Sequence, residues 1–199
     1  MPKRIRFRLA PPTPALVQQY LALWQQNERY RETDAAIRAL IDGHRPNQHF
    51  GDVLVKTSVI NDLYGTNIFG SYAMARHIHA LQIDGRLVAG DIAFVPDIAQ
   101  GNFAGNRFFY SFATKYCNWH QEALFPIYDC VVESLLWAYK HQMPFGIQFR
   151  SEEMRTYQRF KEIVDAFILA FALGEFTYKE VDKFLWKYGK EVWHTMQHK

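Results

Sequence analysis

A lysine and an aspartate, Lys115 and Asp129, close a run of chemistry-bearing residues that begins at Ser111: Ser-Phe-Ala-Thr-Lys-Tyr-Cys-Asn-Trp-His-Gln-Glu-Ala-Leu-Phe-Pro-Ile-Tyr-Asp. An amine can attack an electrophilic sugar carbon and carry it as a Schiff base, and a carboxylate can stabilise the oxocarbenium-like cation formed as a leaving group departs. Cleavage of an N-glycosidic bond needs both. Shielding from water favours the neutral, nucleophilic form of an amine, whereas a neighbouring carboxylate opposes it. The same two residues also fit a plainer arrangement, in which they form an ion pair or Asp129 caps the helix that follows Phe125-Pro126.

Helices must position these groups. Phe108, Phe109, Tyr110, Phe112, Tyr116 and Trp119 precede the turn, and Val131, Val132, Leu135, Leu136 and Trp137 follow it. The apolar spacing predicts helices over 107–120 and 126–139. Upstream, Pro11, Pro12 and Pro14 break the chain before a helix over 13–30. Further helices are expected over 32–42, stopped by Gly43 and Pro46, and over 48–64, 68–81 and 87–99. A hairpin is expected over 100–106, and two more helices over 153–173 and 178–193. No sustained period-two alternation appears, so the expected fold is all-α. It is a single domain spanning 1–199, with room for two lobes and a cleft between them.

Of the 199 residues 49% are hydrophobic and 16% aromatic, enough for a large core. The net charge of +3 and pI of about 8.8 permit nucleic-acid binding without demanding it. Cys117 and Cys130 are the only cysteines. Neither stands in a CxxC or with a His-rich companion, which argues against a disulfide framework, a zinc site or an iron–sulfur cluster and fits a reducing cytoplasm. No long apolar run follows the basic start Met1-Pro2-Lys3-Arg4-Ile5-Arg6-Phe7-Arg8, so neither secretion nor membrane insertion is expected.

The segment Ser111 to Asp129 resembles the catalytic core of the helix-hairpin-helix DNA glycosylases, most closely the archaeal 8-oxoguanine branch. Asp182 and Trp186, in Tyr178-Lys179-Glu180-Val181-Asp182-Lys183-Phe184-Leu185-Trp186, reproduce an aspartate and tryptophan pair of that branch, and Trp119 matches a pocket aromatic. The resemblance implies a two-lobed helical fold with a helix-hairpin-helix element. Lys115 would be the Schiff-base nucleophile and Asp129 the activating, cation-stabilising carboxylate. Trp119 and Trp186 would flank an everted base and Asp182 would accept its hydrogen bonds. Tyr128 stands where the branch has proline, which reshapes the pocket.

The expected partner is double-stranded DNA containing a modified base, met by a monomer that needs no metal or other cofactor. The target is 8-oxoguanine or a hypermodified phage base such as glucosylated hydroxymethylcytosine. Asn102, Asn106 and Arg107 are candidates for phosphate contacts at the hairpin, and Lys56 and Asn61, with Thr57 and Ser58, for a second DNA-facing wall. Ordinary turn residues are the alternative at the hairpin. Trp24 and Gln25 are further pocket candidates. His77 and His79 sit two apart on a helix, a poor metal pair, and with His120 they read as surface or core histidines. The competing expectation is a non-catalytic DNA-binding or protein-interaction domain on the same helical scaffold.

Overall fold

The chain's two ends fold together, and its middle forms a unit of its own. The structure, a computed structural model, describes residues 8–101 and 107–197, with side chains through 196. Its two units are a terminal one, drawn from 1–27 and 126–199, and an inserted one, Glu28–Phe125. No strand occurs among the described residues, so the fold is all-α. Asn102 and Asn106 lie outside the described residues, as does most of the expected hairpin.

The terminal unit contains α1 (Pro14–Gln26), α8 (Cys130–Gln142), α9 (Tyr157–Ala170) and α10 (Tyr178–Gln197). Thr13 starts α1 by accepting from Leu16 N at 3.2 Å, with proline at the first helical position, where its missing N–H costs nothing. Helix α10 packs against α1 and α8. At Gly189 an added Cβ would stand 2.5 Å from Val131 Cγ1 of α8. Three tyrosines tie this unit's core to the entering chain. Tyr188 OH receives the Ala10 amide at 2.7 Å, Tyr139 OH donates to Ala10 O at 3.0 Å, and Tyr20 OH donates to Glu191 at 2.8 Å.

The inserted unit runs through α2 (Glu28–Gly43), α3 (Phe50–Tyr64), α4 (Ser71–Ala80), α5 (Asp84–Val88), a 3-10 turn (Ile92–Phe94), α6 (Val95–Ala99) and α7 (Tyr110–His120). Helix α7 is the axis of this unit. Tyr110 and every residue from Phe112 to Trp119 are buried, so the helix is enclosed on all sides. Helices α2, α3 and α6 pack around it.

Several expected boundaries shift. The helix expected over 13–30 ends at Gln26, because Asn27 is extended (φ −83, ψ 107), and α2 starts afresh at Glu28. The helix expected over 87–99 is three short pieces: Gly90 turns left-handed at φ +64, and the Asp91 carboxylate then caps the 3-10 turn by accepting from Ala93 N at 2.9 Å. The helix expected over 126–139 begins at Cys130, after its cap. The helix expected over 153–173 opens as a separate 3-10 turn (Ser151–Arg155), and α9 follows at Tyr157.

Candidate functional site

Helix α7 carries Ser111, Lys115 and Trp119 at four-residue spacing, which places them in one row along its surface. Lys115 is only 4% exposed, and its amine donates to Ser111 Oγ at 2.6 Å. The Lys115 Nζ also lies 5.4 Å from the centroid of the Tyr64 ring, the last residue of α3. That phenol accepts the Trp119 indole N–H at 3.1 Å, so one tyrosine holds both the amine and the indole. The outcome is a buried cation against an aromatic face with a short hydroxyl acceptor, a setting that fixes an amine's position.

Trp119 itself is 1% exposed, and the Arg38 guanidinium sits 5.0 Å from its ring centroid while forming an ion pair with Glu122. A base stacking on this indole would have to displace Arg38. Next in the helix, His120 packs its ring 5.1 Å from Tyr116. Burial, with smaller contributions from Lys56 and Arg45, lowers its pKa to about 3, so the imidazole stays neutral in the fold.

Asp129 is the N-cap of α8, and its Oδ1 accepts from Val131 N at 2.8 Å. Beside it in the same unit, the half-buried Tyr128 donates to Glu133 at 2.8 Å and meets Phe160 edge-on at 5.4 Å. Burial and the Glu133 carboxylate hold that phenol protonated far above the ordinary tyrosine range. Asp182 and Trp186 share α10 and are half-buried. Trp186 meets Trp24 edge-on at 5.8 Å, with Lys190 Nζ 5.2 Å from its ring. Trp24 thus packs on this indole, while Gln25 is exposed.

The residues expected to form a second DNA-facing wall take other positions. Lys56 is fully buried, and its amine donates to His44 O at 2.8 Å, Pro46 O at 3.0 Å and Asn47 Oδ1 at 2.8 Å, with a longer bond to Arg45 O. Burial lowers its pKa to about 8 against the opposing pull of Asp84 and Asp52. Asn47 in turn bonds Asp84 and receives the Tyr116 hydroxyl at 2.6 Å. Lys56 therefore fastens the 44–47 loop instead of facing phosphate, and Thr57 is buried beside it. Asn61 folds back on the turn after α3, and Arg107 is exposed with its guanidinium 5.2 Å from the Phe69 ring. His77 and His79 each bond a backbone carbonyl, of Asp97 and Gln48.

The participants that sequence reasoning missed are Ser111, Tyr64 and Arg38. Ser111 was within reach through its four-residue spacing from Lys115; the other two stand on different helices and carry no local signal.

Residues 16–124 match the model of the HI_0787_N family, described as an N-terminal domain, and the chain belongs to that family. Over 142 residues it is 37% identical to an uncharacterized protein of Haemophilus influenzae, covering 70% of this chain and 67% of that one. No solved structure matches. The matched segment contains Arg38, Tyr64, Ser111, Lys115 and Trp119 and stops before Asp129. No helix among the described residues is long and apolar enough to cross a membrane.

Proposed function

We propose that this protein is a DNA glycosylase that everts a modified base and cuts its glycosidic bond through the amine of Lys115. The observation that carries this reading is the setting of that amine: buried on α7, bonded to Ser111 and set against the Tyr64 ring. It supports the reading because a lysine nucleophile requires a shielded, fixed position. The resemblance of the Ser111 to Asp129 segment supports it independently.

In this mechanism the Lys115 ammonium first gives a proton to solvent, and the electron pair so freed forms a bond to C1' as the bond from C1' to the base breaks. The base leaves with its pair and takes a proton from solvent. The attached nitrogen then loses a proton, the C1'–O4' bond opens and O4' is protonated, leaving an iminium that also permits strand cleavage. Asp129 supplies the carboxylate that stabilises the cationic sugar, and Trp186, Asp182 and Tyr128 shape the base site. The target is 8-oxoguanine or a glucosylated hydroxymethylcytosine of phage DNA.

Borohydride trapping on duplexes that each carry one modified base tests the proposal. The expected result is a covalent adduct and alkali-labile product with one substrate, both abolished by Lys115→Gln. Silence of the wild type across the whole panel would overturn it.

A second reading, a non-catalytic DNA-binding or interaction domain, draws on one specific observation: Asp129 serves as a helix cap. It predicts salt-sensitive duplex binding with no abasic product and little effect of Lys115→Gln.

A further inference from the structure

The turn between α3 and α4 places an aromatic ring in solvent and holds it there. Phe69 is 78% exposed. Asn61 locks the backbone on both sides of it: its Oδ1 accepts from Ile68 N at 2.9 Å and from Thr66 Oγ1 at 2.8 Å, and its Nδ2 donates to Ile68 O at 3.1 Å and Ser71 Oγ at 3.4 Å. Gly65 and Asn67 take the left-handed conformation, both at φ +57, which glycine and asparagine tolerate best. A ring whose exposure costs hydrophobic free energy is thus kept from folding inward by a four-bond clasp.

The charged group that stands against this ring is positive. The Arg107 guanidinium lies 5.2 Å from the Phe69 centroid. On α4, Tyr72, 58% exposed, and the exposed Arg76 follow at positions one turn apart. No aspartate or glutamate lies between Asp62 and Asp84, and none between Asp97 and Glu122. These two acid-free stretches meet where Arg107 touches Phe69. Asp97, at the border of one of them, is already paired with Arg86 at 2.9 Å.

We propose that Phe69, clasped by Asn61 and backed by Arg107, is a stacking platform for an unpaired base of DNA, with Arg107 and Arg76 meeting the flanking phosphates. An arginine on one face of a phenyl ring leaves the other face for a base, and base–aromatic stacking tolerates any sequence because every base has a π-face. The arginine against the ring, with a second exposed arginine on α4, favours a polyanion over a neutral apolar partner. The inference rests on the DNA partner of the reading above and not on its chemistry: it needs no Schiff base.

Fluorescence anisotropy with an unmodified labelled single strand, measured across a salt series, tests it. Phe69→Ala should weaken binding by about five-fold or more without changing the salt slope, and Phe69→Tyr should restore it. Arg107→Gln and Arg76→Gln should each reduce the slope by about 0.7. Phe69 is exposed, so the alanine variant keeps the fold, which circular dichroism verifies. Unchanged affinity in Phe69→Ala, or a wild type that binds no strand at low salt, would overturn the platform; the second result would assign this surface to a protein partner. Stacking loss in Phe69→Ala with no adduct from the wild type on any lesion would uphold the platform and sink the glycosylase. Base excision with unaltered strand binding by Phe69→Ala would do the reverse.

Discussion

Lys115 and Tyr64 are held face to face: the ammonium nitrogen stands 5.4 Å from the phenol centroid, and the same phenol's oxygen receives the Trp119 N–H at 3.1 Å. Replacing Tyr64 therefore separates two interactions. Tyr64→Phe keeps the ring against the amine and deprives a buried indole of its acceptor, a loss of about 1–2 kcal/mol. Tyr64→Leu also removes the cation–π contact, adding about 0.5–2 kcal/mol. Urea unfolding of the two variants measures both steps, and equal stability of Tyr64→Phe and wild type would show that the indole bond contributes nothing.

At Gly189 helix α10 packs tightly on α8. Alanine is ordinarily the better helix former by about 0.5–1 kcal/mol. Here its Cβ would meet Val131 Cγ1 at 2.5 Å and Leu135 Cδ1 at 3.1 Å, and both of those side chains are buried. Overpacking of this kind costs about 1–3 kcal/mol, so Gly189→Ala should lower Tm despite its helix propensity. A stabilised Gly189→Ala protein would mean that α8 and α10 stand further apart than described.

His120 makes stability depend on acid. Its folded pKa is lowered to about 3 by burial, below its unfolded value, so between those two pH values the unfolded chain binds more protons than the folded one. Stability consequently falls as pH drops from about 6.5 toward 3. His120→Phe removes this term, so the variant should lose less stability than wild type as pH falls through that window, while the two should run parallel above about pH 7. Chemical denaturation at pH 7.5 and pH 4.5 compares the two slopes; equal pH dependence would place the imidazole in solvent.

The sequence disclosed some of these features and concealed others for physical reasons. The enclosure of α7 was legible, because an aromatic and apolar run without glycine or proline has to be wrapped. The Asp129 cap was legible too, as an acidic side chain directly before a helical pattern. The break at Asn27 was not, since neither glycine nor proline marks it and the apolar spacing continues on either side. Lys56 misled because a helical lysine normally faces water; it turns inward only because three consecutive loop carbonyls and the Asn47 side chain converge on its amine. Tyr64 could not be assigned to Lys115 from a pattern at all, because their meeting depends on how α3 crosses α7.

Asp129 serves as a cap whatever else it does, and the two roles can be separated by isosteric replacement. Asparagine caps a helix about as well as aspartate, so Asp129→Asn should keep the bond to Val131 N and leave Tm nearly unchanged. Asp129→Ala loses the cap and about 1 kcal/mol. A carboxylate that stabilises a cationic sugar is different, because its charge is what matters. Under the glycosylase reading Asp129→Asn should lose about 100-fold or more in single-turnover excision. Thermal melts and excision rates on one modified duplex decide the matter together. Full activity in Asp129→Asn with reduced stability in Asp129→Ala would confine this residue to holding the start of α8 and leave any chemistry to Lys115 alone.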